Sequence, residues 1–351
     1  MVQLKTNGFN GLAALASILE QERHVTLKCV QVLGCTIIGV GVLVEPSVPV
    51  AAQEQADTPR ATFRSGVELV ALTATVKDQR GRLVRDLERQ DFQVIESGKE
   101  RPIVDFKPTD QGPIHVAFLF DQSGSMGLGA TGMGTNLQAG RQVVEHMLAW
   151  MEPQADRVAL YAFDRELVEL QPFTSNPAPL RAGLAKLGAW GTTALYDAVA
   201  KTAERIGGKS IERRAVVVVT DGIDTASTLT PAAVSGIASA IDVPVYVFVV
   251  MASVDHPDRG VGIRTSSGEQ VTSNLANLAS WTGGGMLLVT NADEASMAVR
   301  DLITELRHQY LIAFEAAPGS GWRGLAVRTR NRDLTVRARR GYFASQDSMT
   351  Q

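Results

Sequence analysis

Three runs, "HVAFLF" (115–120), "AVVVVT" (215–220) and "VPVYVFVV" (243–250), are almost continuously apolar and show no alternation. A strand of that kind has no face suited to water, so each has to be covered on both sides. Parallel sheets with helices on both faces meet that demand. The stretches between the runs carry the helical period: "NLQAGRQVVEHMLAWM" (136–151), "APLRAGLAKL" (178–187), "ALYDAVAKTAERI" (194–206) and "TPAAVSGIASAI" (230–241), the last with Pro231 in its first turn. "NLANLASWTGG" (274–284), "GMLLV" (285–289) and "DEASMAVRDLITELRHQY" (293–310) extend the pattern as helix, strand and long closing helix. The expected fold class is α/β, a Rossmann-like doubly wound, mostly parallel sheet over residues 112–308.

The flanks are different. "VELVALTATV" (67–76) and "DFQVIESGKERPIVDF" (91–106) precede that region, and "YLIAFEAA" (310–317), "WRGLAVRTR" (322–330) and "LTVRARRGYF" (334–343) follow it, all with strand character and turn residues between. Neither flank is large enough to bury a core alone. Pairing 63–110 with 309–345 makes one small all-β domain with the α/β domain inserted between its halves, an arrangement that also keeps the chain ends near each other. Residues 346–351 are then a tail, and the polar, Pro59-containing "QEQADTPRAT" (53–62) a linker.

Residues 29–44, "CVQVLGCTIIGVGVLV", form a sixteen-residue apolar run preceded by Arg23 and Lys28. A spanning helix needs about 20 apolar residues. "SVPVAA" follows, with Val50 and Ala52 at the small-residue spacing of a signal-peptidase site. The reading is a lead and secretory signal over 1–52, cleaved after Ala52, with an uncleaved membrane anchor as the alternative. Cleavage would remove both cysteines, Cys29 and Cys35, so the exported domain has to rely on its core rather than on disulfides. The formal net charge of −3 gives no electrostatic reason to expect nucleic acid.

Three loops leave the carboxyl ends of expected strands, where open α/β sheets bind ligands. "DQSGS" supplies Asp121, Ser123 and Ser125; "GTTAL" supplies Thr193; "TDG" supplies Asp221. Two carboxylates and three hydroxyls form a set of hard oxygen donors suited to magnesium, with manganese or calcium as alternatives. With no histidine or cysteine in these loops, the set suits zinc or copper poorly. An N-cap role is the plainer alternative for Asp121, and a loop or capping role is expected for Asp224.

In that order and on those elements, "DQSGS", "GTTAL" and "TDG" resemble the von Willebrand factor A domain and its metal-ion-dependent adhesion site. The flanking strand blocks resemble a bacterial family of secreted proteins built around such a domain. The resemblance implies that Asp121, Ser123, Ser125, Thr193 and Asp221 hold the metal, Thr193 being taken over Thr192 because it directly precedes "AL". It also implies a protein partner whose Asp or Glu carboxylate completes the metal's shell, and a non-enzymatic binding or adhesion role. None of the four histidines outside the signal segment lies in the metal loops, and Ser123 stands where a nucleophile elbow needs glycine. Metal-assisted hydrolysis is the enzymatic alternative. Seven arginines between Arg323 and Arg340, against the single acid Asp333, offer a further alternative: an envelope-assembly role through the Arg-rich β domain.

Overall fold

The computed structural model describes residues 69–108, 112–129, 133–207, 213–222, 224–240, 242–251 and 266–344. The expected signal segment, linker and tail lie outside them. No helix among the described residues is long and apolar enough to cross a membrane.

The α/β part is a six-stranded sheet. Its strands are β5 (Ile114–Asp121), β6 (Arg157–Phe163), β7 (Leu167–Thr174), β8 (Arg213–Thr220), β9 (Val245–Val250) and β10 (Met286–Val289), in the order β10-β9-β8-β5-β6-β7. All pairs are parallel except β6 with β7. From β5 the chain moves to one side through β6 and later to the other side through β8. The order therefore reverses at β5, which opens a crevice beyond the carboxyl ends of β5 and β8.

The helices are α1 (Asn136–Trp150), α2 (Pro177–Lys186), α3 (Leu195–Ile206), α4 (Pro231–Ala240), α5 (Ser266–Thr282) and α6 (Ala292–Arg307). Alternate residues of β5 feed opposite cores. Val116, Phe118 and Phe120 pack with Val143 and Met147 of α1 and Val299 and Leu302 of α6. Ala117 and Leu119 pack with Leu195 and Val199 of α3 and Leu275 and Leu278 of α5. That double covering is the reason these strands read as unbroken apolar runs. Helix α1 lies so close to the sheet that a Cβ on Gly140 would fall 2.8 Å from Phe120 Cζ and from Val219 Cγ1.

Strands from both flanks make two antiparallel sheets. They are β1 (Leu69–Lys77), β2 (Phe92–Glu96), β3 (Lys99–Arg101) and β4 (Ile103–Pro108), with β11 (Tyr310–Glu315), β12 (Gly321–Thr329), β13 (Thr335–Ala338) and β14 (Gly341–Ala344). The orders are β13-β1-β11-β4 and β14-β12-β2-β3, so each sheet draws strands from both ends of the chain. Leu72, Phe92, Val94, Ile312, Phe314 and Tyr342 share one core there. The β2–β3 hairpin turns on Ser97 and Gly98, both at positive φ (47° and 83°), as a two-residue hairpin of matching twist requires.

Two strands expected to be continuous are broken. "PIVDF" separates from β3 at Pro102, which has no N–H to give a ladder. "LTVRARRGYF" splits at Arg339 and Arg340 into strands of different sheets. There the Arg340 N–H goes to the Trp281 carbonyl (2.9 Å) and the Arg339 guanidinium to the Ala71 carbonyl (2.6 Å). Helix α5 begins eight residues earlier than its apolar pattern, in the polar stretch "SSGEQVTS".

The arginine-rich stretch is not one solvated face. Arg323 pairs with buried Glu96 (3.0 Å), Arg339 with Asp242 (3.2 Å), and Arg337 with Glu305 of α6. Arg328, Arg330, Arg332 and Arg340 are exposed.

Candidate metal centre

Strand β5 ends at Asp121, whose side chain is fully buried. The chain then turns sharply. Ser123 N–H donates to Asp121 Oδ1 (2.8 Å), a local side-chain turn typical of Asp, and Gly124–Gly127 make a single 3-10 turn. The Ser123 and Ser125 hydroxyls consequently lie 3.1 Å apart.

Next to β5, strand β8 ends at Thr220. Its hydroxyl donates to Asp121 Oδ2 (2.6 Å) and accepts from Gly222 N–H (3.0 Å). Asp221 follows, half-buried and close enough for its charge to act on Asp121. Thr220 thus orients the central carboxylate, and sequence reasoning did not single it out. The available signal was its place as the last residue of an apolar strand, directly before the aspartate.

The second loop is pinned to the first by backbone bonds. Trp190 N–H donates to the Gln122 carbonyl (2.8 Å) and Gly124 N–H to the Gly191 carbonyl (3.2 Å). Gly191 sits at φ +80°, a conformation open to glycine at no steric cost. Thr193 is buried whereas Thr192 is exposed. Thr193 N–H donates to Thr225 Oγ1 (3.0 Å), and its carbonyl accepts from Thr225 and Ala226, which ties the second loop to the third. The five singled-out residues therefore stand on three mutually hydrogen-bonded loops at the switch point. Asp224 serves instead as a cap for α3, accepting from Leu195 N–H (2.9 Å) and the Ser227 hydroxyl (2.7 Å).

Burial pushes the Asp121 carboxyl up to about 6. Hydrogen bonds from Thr220 and Ser123 oppose the rise, and the negative charge of Asp221 adds to it. No group of three or more His, Cys, Asp or Glu that could hold a metal ion occurs among the described residues, and the donors gathered here are mostly hydroxyls. Of the histidines, His115 lies in β5 against Phe173 and His308 ends α6; His256 falls outside the described residues.

Residues 116–223 match the family model for the von Willebrand factor type A domain, so the chain contains a domain of that family. Domains of this kind are generally interaction modules rather than enzymes. No curated protein matches the chain. Solved structures similar to it include the conserved hypothetical protein BatB from Bacteroides thetaiotaomicron (19% identity, 55% of this chain and 98% of that one, TM-score 0.44). A von Willebrand factor type A protein from Catenulispora acidiphila is 11% identical over 80% of this chain and 73% of that one, with a TM-score of 0.43. Proximal thread matrix protein 1 from the mussel byssus, solved with a zinc-occupied MIDAS motif, is 16% identical over 61% and 50%, with a TM-score of 0.44.

Proposed function

We propose that this protein is a secreted or surface-exposed binding module that holds a divalent cation, magnesium by the chemistry of its donors, and engages a partner's carboxylate through it. Asp121, Ser123, Ser125, Thr193 and Asp221 would hold the ion. The carrying observation is Asp121, a carboxylate fully buried at a strand end, beside a second carboxylate and a hydroxyl pair 3.1 Å apart. Burial and like charge both work against its ionised form, and a cation would reverse both. The donors are hard oxygens, which suits magnesium. Two aspartate charges neutralise a divalent ion while hydroxyls add none, so an anionic side chain from outside remains an acceptable further ligand. When bound, the ion would supply that attraction.

Arginine-mediated assembly has less support, because Arg323, Arg337 and Arg339 are already paired with the chain's own acids. Hydrolysis is less favoured too, since no histidine stands in the three loops.

Calorimetric titration of magnesium into the purified chain tests the reading. Saturable binding is expected, lost in Asp121→Ala and weakened at least about tenfold in Thr193→Ala, as for loss of one metal-site group. Thr192→Ala, altering an exposed side chain, should leave it unchanged. Absence of binding in the unaltered chain, or equal binding by Asp121→Ala, would sink the proposal.

A further inference from the structure

Two large apolar side chains stand exposed on the loops that carry the candidate ligands: Trp190 at 54% and Leu128 at 69%. Neither position is loose. Trp190 is fixed by its N–H bond to Gln122, and its ring lies against Gly188, where a Cβ would come 2.1 Å from ring carbon Cζ3. The six-membered ring thus rests against backbone at Gly188. Leu128 N–H donates to the Ser125 carbonyl (3.0 Å) and its own carbonyl accepts from Asn136 N–H (3.0 Å) at the start of α1. The two loops touch, since a Cβ on Gly127 would lie 3.1 Å from Ala189 Cβ.

A preordered aromatic and an aliphatic side chain beside a charged anchor make a binding contact at small entropic cost. The β6–β7 turn adds a charge restriction. Asp164 approaches Gly191 (3.2 Å from Oδ2 to the position of a Cβ), and exposed Glu166 follows, with Arg165 offsetting one of the two charges. A partner rich in acids would meet repulsion here.

We propose that Trp190 and Leu128 form an apolar rim that selects partners presenting a single Asp or Glu with a large apolar residue within about two positions of it. In an extended peptide, side chains two positions apart project to the same side, about 7 Å apart along the chain, which is within reach of a rim only a loop away from the ion. The proposal rests on the metal-binding reading above and names the partner class for that site.

A random-peptide display library panned on the full chain in magnesium and eluted with EDTA tests it. Expected sequences pair one acid with a neighbouring Leu, Met, Phe or Trp. The best such peptide should bind Trp190→Ala about tenfold or more weakly, as for a buried aromatic anchor, and Leu128→Ala more weakly as well. Both variants should keep the unaltered magnesium isotherm. Enrichment of acids without apolar neighbours, equal binding by the Trp190→Ala chain, or no EDTA-eluted peptide from a chain that binds magnesium overturns the rim assignment. Loss of magnesium binding in the unaltered chain would instead strike the metal reading beneath it.

Discussion

Replacing Glu305 with alanine should lower the stability of the chain by about 3 kcal/mol, within the range for breaking a buried ion pair. Glu305 projects from α6 and is 4% exposed. Its carboxylate accepts from the Tyr246 hydroxyl of β9 (2.6 Å) and pairs with Lys77 of β1 (3.0 Å) and with Arg337 of β13. One acid therefore joins the closing helix and a sheet strand of the α/β part to both ends of the β part. Alanine would leave two cations facing each other and a buried phenol without its acceptor. Burial already lowers the Lys77 pKa, and Arg337 lowers it further. Both cations keep some access to water, at 35% and 29% side-chain exposure, which holds the cost to the lower end of that range. Glu305→Gln keeps an acceptor for Tyr246 and should lose roughly half as much. Urea unfolding monitored by circular dichroism gives the midpoints. A Glu305→Ala midpoint within error of the unaltered chain would show that the node adds nothing. Adding Tyr246→Phe to Glu305→Ala should recover part of the loss, because no buried hydroxyl is then left unpaired.

That node was not legible in the sequence. Glu305 reads as one charge on an amphipathic helix, and Arg337 and Arg339 as two members of an Arg-rich stretch. Pairing between β1 and β13 brings Lys77 beside Arg337, and Glu305 and Asp242 come to the arginines from distant parts of the chain, which no local pattern encodes. The α/β class was legible because an apolar strand covered on both sides announces itself within six residues. Two of the three loops were legible for a related reason: Asp121, Ser123, Ser125 and Asp221 sit within a few residues of a strand end, so the sequence carries its own position marker. The loop of Thr193 does not leave a strand end as expected but joins α2 to α3, and its marker is the helix that starts two residues later. Thr220 was missed because its role depends on which strand lies beside β5, a fact of sheet order. The split of "LTVRARRGYF" was missed because the backbone N–H of Arg340 is taken by a helix carbonyl far away in sequence.

Asp121→Asn should make the metal-free protein more stable at pH 7, by about 1–3 kcal/mol. The folded carboxyl titrates near 6 against an ordinary value of 3.8. Between those values the folded chain holds a proton that the unfolded chain has released, so stability falls as pH rises through the window. The stabilising contribution is complete below about pH 4 and gone above about pH 6, and a shift of this size corresponds to about 3 kcal/mol. Asparagine is neutral throughout and removes the dependence. It can still accept from Ser123 N–H, but its amide turns toward the Thr220 hydroxyl, which then has to accept instead of donate, and that mismatch trims the gain. Urea midpoints in EDTA at pH 4, pH 5 and pH 7 should show the variant's advantage in full at pH 7, about half of it at pH 5 and little of it at pH 4. Other carboxylates titrate in both chains, so the difference between them isolates position 121. Magnesium should then reverse the order at pH 7. A cation replaces the proton in the unaltered chain and stabilises the folded form in proportion to its occupancy, while the asparagine chain gains nothing. Equal or lower stability of the variant in EDTA at pH 7 would mean that water or neighbouring dipoles already solvate the carboxylate. Burial could then no longer be the reason this strand end calls for a cation.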